Sequence, residues 1–551
     1  MRLSRKLTSL IWTTVVVAIL VLTWVGLART YPEIESARYL PDRVFRLLKT
    51  LMGNDPLGGG LEARDLAWQL IAAKVLVCVL LVRALVKLVS SVFSEHVQNL
   101  RVWLKPNPTL VVGAGRKAQV LANDLKSARG ETVVVVERAE SSASKSLQDD
   151  GHVVVTGDVT RSDTLRSAGA LKARRVICFA QDQQLGIQVA GRVRQLWAAR
   201  AETGEGCDCY VHLDNPRLVD LLGGRSDRDH AVRVHFFNLH KMVARGLFEG
   251  MTPALPAVLK EADRLEIDLV GWGPEARAIL LQGLRVLHLG LARGVAWRVW
   301  TDKPTESQTQ WAASYPMASS VAEVEFDAPG GHCRRVVERW LASDPGTARL
   351  VICASGDDEV DLTAAAELLY ANESAAFPIY VRCADGRGLP ALLTSQRARL
   401  QLFGDEQSFC TVEMVCGERQ DKLAQAIHAD YLRQTQGTAS ESAAYKSAWD
   451  ALSEEARDAN RAQADHLPYK QMLSDLWSAH GAQEVNERLA RVEHDRWAAH
   501  RYLQGWSFGE IRDDARKQHP SLVPWAALSE GEREKDRNAV RRVPDLLAAG
   551  A

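Results

Sequence analysis

Two glycine-rich turns carry the most chemically specific spacing in the chain. The first reads Thr109-Leu-Val-Val-Gly113-Ala-Gly115-Arg-Lys-Ala118 and the second Ile267-Asp-Leu-Val-Gly271-Trp-Gly273-Pro-Glu-Ala276. Each follows a short apolar run and has the form G-x-G-x-x-[G/A]. In that form the first glycine turns a strand sharply into a helix, and the second lets backbone N–H groups approach a pyrophosphate. An acid stands at or just past the end of the next apolar run in each case, Glu137 and Asp302. Such an acid accepts hydrogen bonds from ribose hydroxyls and disfavours a 2′-phosphate. The candidate nucleotide contacts are Gly113, Ala114, Gly115, Arg116, Glu137 and Arg138 in the first unit, and Gly271, Gly273 and Asp302 in the second. Pro274 suits a first helical turn yet removes an N–H that would face phosphate. The second turn therefore reads either as a ligand site or as a degenerate copy paired with the first.

The elements that must hold these turns follow from the apolar pattern. Leu110–Val112, Thr132–Val136, His152–Val155, Arg175–Phe179 and Cys209–Leu213 read as parallel strands covered on both faces, with Lys117–Ala128 the first crossing helix. Ile267–Val270, Trp297–Trp300, Ala322–Phe326, Leu350–Cys353 and Ile379–Cys383 repeat the plan, with a helix over Val360–Tyr370. The expected fold is thus two tandem Rossmann-like parallel-sheet units, residues 106–250 and 262–404. Neither is followed by a substrate domain with an acid–base group, so binding without turnover is expected and an NAD-dependent oxidoreductase is the weaker reading. No catalytic residue is assigned.

The chain has 551 residues, 46% hydrophobic and 25% charged, with a formal net charge of zero. A nucleic-acid binder carries a basic excess, so nucleic acid is not an expected partner. Nine cysteines without paired spacing fit reduced thiols. Cys207-Asp-Cys209 lacks a second Cys/His pair at zinc-site spacing, so no metal is expected.

Leu10 to Leu27 is uncharged and long enough to cross a bilayer, with Trp12 and Trp24 near its ends. Arg2, Arg5 and Lys6 precede it and place the N-terminus in the cytoplasm. The length of the run and the lack of an A-x-A-like site favour a retained anchor over a cleaved signal. Leu66 to Phe93 reads as a second span, although it contains Lys74, Arg83 and Lys87. The expected order is a first transmembrane helix with a basic lead (1–28), an extracytoplasmic loop (29–65) and a second transmembrane helix with its linker (66–105). An amphipathic helix is expected from Asp42 to Met52, and Gly58-Gly-Gly60 is a poor substitute for a carbonyl-lined filter. The main domains then lie in the cytoplasm, at a bacterial inner membrane.

Residues 421–551 become helical and rich in Trp, Arg, Glu and His. An internal repeat aligns Trp449-Asp-Ala-Leu-Ser453-Glu-Glu-Ala-Arg457-Asp-Ala-Asn460 with Trp525-Ala-Ala-Leu-Ser529-Glu-Gly-Glu-Arg533-Glu-Lys-Asp536. In both, the serine can cap a helix whose first turn carries glutamates.

Two resemblances stand on these residues. Val111-Val-Gly-Ala-Gly-Arg, Val135-Val-Glu137, Val154-Val-Thr-Gly157-Asp158-Val-Thr160, Leu165, Ala168-Gly169 and Ala173 resemble the N-terminal (TrkA-N) domain of regulators of K⁺ conductance (RCK) and of Trk potassium-uptake regulators. The chain departs from that family at Gln183-Gln-Leu, where an Asn is common. The resemblance implies an adenine nucleotide, NAD(H), ATP or ADP, against Gly113, Gly115, Glu137 and Asp158, and a dimer-like or ring-like homo-oligomer. Over about residues 445–548, His494, Trp497, Arg501, Gly505-Trp506, Gly509, His519-Pro520, Leu522, Pro524, Trp525 and Leu528 resemble the ryanodine-receptor repeat (RyR) domain. In bacterial settings that resemblance implies sensing of a nucleotide-derived signal. His494, Trp497, Arg501, Trp506 and Trp525 are the ligand candidates there, by stacking a base and holding phosphate; the bland alternative is that the tryptophans are core.

Taken together, the chain reads as a nucleotide-sensing protein of the lipid bilayer that couples NAD(H) or adenine-nucleotide binding to cation, specifically potassium, transport or its regulation. An ion-transport partner is compatible with that reading. The alternative is an anti-phage or stress effector whose RyR domain detects a nucleotide signal and whose spans permeabilise the membrane.

Overall fold

Residues 1–100 and 101–551 form two compact units. The computed structural model describes residues 5–30, 67–92, 104–179, 183–199, 206–223, 231–342, 346–371, 377–386, 399–417, 419–436 and 451–550, with residues 49, 102, 344, 448 and 449. The amphipathic helix expected from Asp42 to Met52 and the Gly58-Gly-Gly60 return lie outside the described residues.

The first unit is a pair of helices, α1 (Arg5–Thr30) and α2 (Trp68–Val92). They run antiparallel. Gly26 lies against Leu70, and the Arg83 guanidinium stands 3.6 Å over the Trp12 ring. A Cβ on Gly26 would fall 2.7 Å from the Leu70 nitrogen, so the close crossing needs glycine. Val16, Val17, Leu20, Val21, Val75, Val79 and Val82 are exposed, an apolar exterior. Among the described residues, one stretch is long and apolar enough to cross a membrane, Trp68–Val86; α1 holds a shorter one, Trp12–Gly26.

The second unit opens with two parallel sheets, as the apolar runs predict. β1 (Thr109–Val112), β2 (Val133–Glu137), β3 (Val153–Thr156), β4 (Arg175–Cys178), β5 (Cys207–His212) and β6 (Val232–Phe237) lie in the order β3-β2-β1-β4-β5-β6. β7 (Arg264–Val270), β8 (Val295–Trp300), β9 (Glu323–Asp327), β10 (Thr347–Cys353), β11 (Ile379–Arg382) and β12 (Leu400–Phe403) take the same order, β9-β8-β7-β10-β11-β12. Helices α3 (Arg116–Arg129), α4 (Ser142–Asp149), α5 (Gln183–Ala198) and α6 (Pro216–Gly223) accompany the first sheet. α7 (Leu239–Met251) leads to the second, which carries α8 (Pro274–Val286), α9 (Pro304–Ser314), α10 (Arg334–Leu341) and α11 (Asp358–Ala371). The order in which strands are added reverses between β1 and β4, and between β7 and β10. Ligands of such sheets bind outside the carboxyl ends of the strands at that switch.

Each sheet has a sixth strand that the apolar pattern did not single out. β6 and β12 are edge strands, buried at their first residue and only partly covered afterwards. Half-covered edges lose the continuous apolar run that marks β1 and β2.

The C-terminal region is helical: α12 (Lys422–Gln436), α13 (Glu454–Leu476), α14 (Ala482–Leu503), α15 (Glu530–Arg541) and α16 (Val543–Gly550). A small ribbon, β13 (Ser507–Phe508) with β14 (Gln518–His519), interrupts it. The sequence repeat is also a geometric one. Ser453 Oγ accepts from the Ala456 amide at 3.2 Å, and Ser529 Oγ from the Glu532 amide at 3.3 Å. Arg457 Nε donates to the Trp449 carbonyl at 3.3 Å, and Arg533 Nε to the Trp525 carbonyl at 3.2 Å. The match extends beyond the sequence repeat. His428 stands 6.2 Å from the Trp449 ring and His494 stands 5.9 Å from the Trp525 ring.

A buried charge network docks this helical region onto α7 and α8. The Arg245 guanidinium donates to both Asp465 oxygens at 2.8–2.9 Å and to Asp421 at 2.7 Å. Arg461 reaches Asp421 at 2.7 Å, Asp458 at 3.0 Å, and Glu454. Lys241 pairs with Asp458, and Gln282 donates to Asp465 at 2.8 Å. Burial alone would raise the Asp421 carboxyl; Arg461 and Arg245 hold it well below its usual range. Removing one partner from such a network strands buried charge. Arg245→Ala is expected to cost about 3–5 kcal/mol in thermal unfolding of the full chain. A loss near zero would contradict this docking.

Deeper between α13 and α14, fully buried Lys470 meets Glu493 at 2.5 Å, and Arg496 takes both Glu493 oxygens at 2.8 Å. Buried His466 and His500 and partly buried His288 lie around them. Burial, with Arg496 nearby, pushes His288 down to about 4. Burial also holds His466 and His500 well below the usual histidine value, helped by Lys470 and Arg285 respectively. Each takes up a proton on unfolding, so their contribution is present above pH 6.5 and is lost as pH falls below it. Melting temperature is expected to fall steeply from pH 7 to 5, with each histidine adding about 1.4 kcal/mol per pH unit. A flat profile, or one unchanged in His500→Leu, would contradict the neutral assignment.

Candidate functional site

At the first corner the two glycines have different duties. Gly113 has φ +99°, a left-handed region that favours glycine, and its N–H donates to the Val136 carbonyl at 2.9 Å. Gly115 has φ −59°, open to any residue, and a Cβ built there meets nothing within 4 Å. Packing does not demand glycine at 115; the position leaves open space. Gly115 is also the N-cap of α3 and supplies no side-chain cap. Among the described residues, no hydrogen-bond partner is recorded for the Gly115, Arg116 and Lys117 amides. These are the first-turn donors that a helix cannot satisfy itself and that bind anions readily.

The acids around this corner hold it in shape. Ala114 N–H donates to Glu137 Oε2 and Arg138 N–H donates to Glu137 Oε1 at 2.9 Å. Glu137 therefore ties the glycine turn to the end of β2, and each of its oxygens keeps a lone pair for a further donor. Asp158, past β3, accepts from the Thr160 amide at 2.9 Å and its hydroxyl at 2.7 Å. The Thr160 amide, its hydroxyl and nearby Arg138 hold the Asp158 carboxyl below its usual range. Arg138 is exposed.

Arg116 points elsewhere. Its guanidinium donates to the Ala384 carbonyl at 3.0 Å and meets Asp385 at 2.8 Å and Glu406 at 3.1 Å. A residue read as a phosphate contact thus spans from the first sheet unit to the second.

The second corner is filled. Gly271 has φ +102°, and a Cβ there would lie 2.5 Å from the Ser355 Cα. A Cβ on Gly273 would stand 3.2 Å from the Ser355 carbonyl oxygen. Both glycines are accounted for by the crossing of the 354–356 backbone. Trp272, between them, packs edge-on against Phe326 at 5.1 Å and Trp311 at 6.2 Å. Pro274 removes one amide, and buried Glu275 places a carboxylate in the first helical turn, held by Arg382 and by His240 at 3.5 Å. Asp302 is exposed. The register pairs Val112 with Val136 and Val270 with Trp300, so the counterpart of Glu137 is Thr301 and Asp302 stands one position beyond it.

His240 links the end of β5 to the second corner, 3.2 Å from Asp214 and 3.5 Å from Glu275. Burial would lower it, but the Asp214 and Glu275 carboxylates raise it above its usual value. His240, Asp214, Arg382 and Arg245 were not identified from sequence. Their partners are distant in the chain (Arg382 and Glu275 are 107 residues apart), and no local motif marks them.

In the helical region the five candidates do gather. His494 Nε2 lies 2.8 Å from the Val523 carbonyl, and its ring stacks on Trp497 at 5.8 Å and tilts against Trp525 at 5.9 Å. The Arg501 guanidinium stands 4.6 Å over Trp506. Trp506 is buried, and its Nε1 and the Arg501 Nε have no hydrogen-bond partner among the described residues.

The glycine contrast is directly measurable. Gly115→Ala is expected to leave thermal stability within about 0.5 kcal/mol, as for an open surface position. Gly271→Ala combines a left-handed backbone with a collision and is expected to cost about 2–4 kcal/mol. Equal losses would remove the distinction between the corners.

Comparison with known proteins bears on both regions. The chain is 28% identical over 169 residues to the glutathione-regulated potassium-efflux system protein KefC of Escherichia fergusonii, which covers 30% of this chain and 22% of that protein. The chain thus spans under a quarter of that relative's length. Solved structures of the GsuK channel and of GsuK bound to ADP are each 17% identical, covering 74% of this chain and 96% of theirs at a TM-score of 0.38. The GsuK channel bound to NAD is 14% identical, over 74% and 82%, at a TM-score of 0.37. Superpositions that loose do not define a shared architecture. Residues 109–216 match the TrkA-N domain, which contains the first glycine corner, and residues 473–550 match the RyR domain, which contains the aromatic cluster.

Proposed function

We propose that this chain is a membrane-anchored sensor that binds NAD(H) or another adenine nucleotide at the first glycine corner and regulates potassium transport. The observation that carries the reading is the open first corner. Among the described residues its amides at Gly115, Arg116 and Lys117 have no hydrogen-bond partner, and a Cβ on Gly115 would meet nothing within 4 Å. A pyrophosphate would accept from those amides and a ribose would donate to Glu137, with Asp158 and Arg138 flanking the adenosine. The match of residues 109–216 to the TrkA-N domain supports this assignment, and the regional likeness to KefC supports the coupling to potassium.

In this reading the second unit is a partner rather than a binder, because Trp272, Pro274 and Glu275 fill its corner. Arg116 gives the coupling a physical form. A phosphate at the corner competes with Asp385 and Glu406 for the same guanidinium, so the bound and free states favour different arrangements of the two sheets. A ligand shifts such an equilibrium only by its differential affinity for the two states. The change passes along the chain to α2, which with α1 anchors the protein in the bacterial inner membrane. Self-assembly into a ring of copies would sum the small displacements. The RyR cluster of His494, Trp497, Arg501, Trp506 and Trp525 is a second input for a nucleotide-derived signal. Binding proceeds without turnover.

Calorimetry on the detergent-solubilised full chain with NAD⁺, NADH, ADP and ATP tests the assignment. Gly115→Val places a branched side chain over the amides and is expected to weaken binding by at least about 100-fold, or 2.7 kcal/mol. Unchanged affinity in Gly115→Val would overturn the site, and steady hydride transfer with any substrate would overturn the non-enzymatic reading.

A further inference from the structure

A cleft of about 990 Å³ opens where the carboxyl edge of the first sheet, α8 and the helical region meet. From the first sheet it is lined by Gln183, which follows β4, and Asn215, which follows β5; the Asn215 amide donates to Gln183 Oε1 at 3.3 Å. These strands lie on the other side of the switch point from β2 and β3, where Glu137 and Asp158 stand. α8 contributes Arg285, and the end of α14 contributes Gln504. Arg285 Nε and Gln504 Oε1 are both buried with no hydrogen-bond partner among the described residues. One is a donor waiting for an acceptor, the other an acceptor waiting for a donor.

The helical region holds its contribution under strain. Lys517 is a non-glycine residue with φ +53°, and its Nζ donates to the Gln504 carbonyl at 2.8 Å. Strained backbone persists where surrounding structure fixes it, and it clusters at ligand clamps. Two of the cations are tied to one carboxylate: Lys241 pairs with Asp458, and Arg285 lies 3.7 Å from it. Arg285 Nε and Gln504 Oε1 remain as one buried donor and one buried acceptor. A nucleoside, which carries both acceptors and donors, satisfies the two better than a second phosphate, which only accepts.

We propose that this cleft holds the second nucleoside of a dinucleotide, and that Gln504 and Lys517 of the helical region complete the site. This rests on the adenosine half occupying the first glycine corner. A mononucleotide then fills the corner alone, whereas a dinucleotide also touches α8 and the helical region. The helical region thereby distinguishes the length of the ligand.

Calorimetry on the full chain compares NAD⁺ with ADP in the wild type, Gln504→Leu, Asn215→Leu and Gly115→Val. NAD⁺ is expected to bind at least about tenfold more tightly than ADP, the worth of one or two well-made hydrogen bonds. Gln504→Leu and Asn215→Leu are expected to remove that advantage while ADP affinity and the melting curve stay as in wild type, which shows the variants are folded. Equal wild-type affinities, or an NAD⁺ advantage indifferent to both substitutions, would overturn the cleft assignment. Gly115→Val is expected to lose both ligands; if it retains ADP, the corner reading falls separately, whatever happens at the cleft.

Discussion

A helix begins with backbone N–H groups that its own turns cannot satisfy, and the rest of the molecule must decide what faces them. In this chain the decision differs between two copies of one fold. Among the described residues the first copy leaves the donors at Gly115–Lys117 without a hydrogen-bond partner and keeps the space beside Gly115 clear. The second replaces one donor with Pro274, sets Glu275 in the first turn and closes the space with Trp272 and the Ser355 backbone. In the proposed reading an anion is taken up at the first corner and excluded at the second, so the duplicated sheets would divide into a binder and a support.

The support is physical. Arg116 reaches from the binding corner to Ala384, Asp385 and Glu406, while His240 reaches from α7 to Asp214 and Glu275. Arg245 and Lys241 then fasten the helical region through Asp421, Asp458 and Asp465, with Arg461 holding Asp421 from within that region. Buried ion networks give little net stability against apolar packing, but they penalise any arrangement that separates partners. Such contacts suit a protein that must hold a few discrete arrangements of its parts. The His288, His466 and His500 group sits beside the same docking surface and makes the assembly sensitive to acid.

Much of this was legible in the residues. The glycine turns, the valine-rich strands and the Trp–Arg repeat have local signatures, because each arises from backbone geometry or from neighbours a few positions apart. The edge strands β6 and β12 were missed because half-covered strands lack a continuous apolar run. The direction of Arg116 and the identity of Arg245 were illegible for another reason: their partners lie 268 and 220 positions away. Asp302 looked equivalent to Glu137 by its place just past the next apolar run, yet strand register gives that place to Thr301. Spacing did not separate an open corner from a filled one because the filling comes from the distant Ser355 backbone.

Amide hydrogen–deuterium exchange on the full chain, with and without NAD⁺, reads the decisive groups directly. Slowed exchange at Gly115–Lys117, with none gained at Gly273–Ala276, is expected if the first helix start grips the pyrophosphate. Exchange at Gly115–Lys117 that NAD⁺ leaves untouched, under conditions where calorimetry shows it bound, would contradict it.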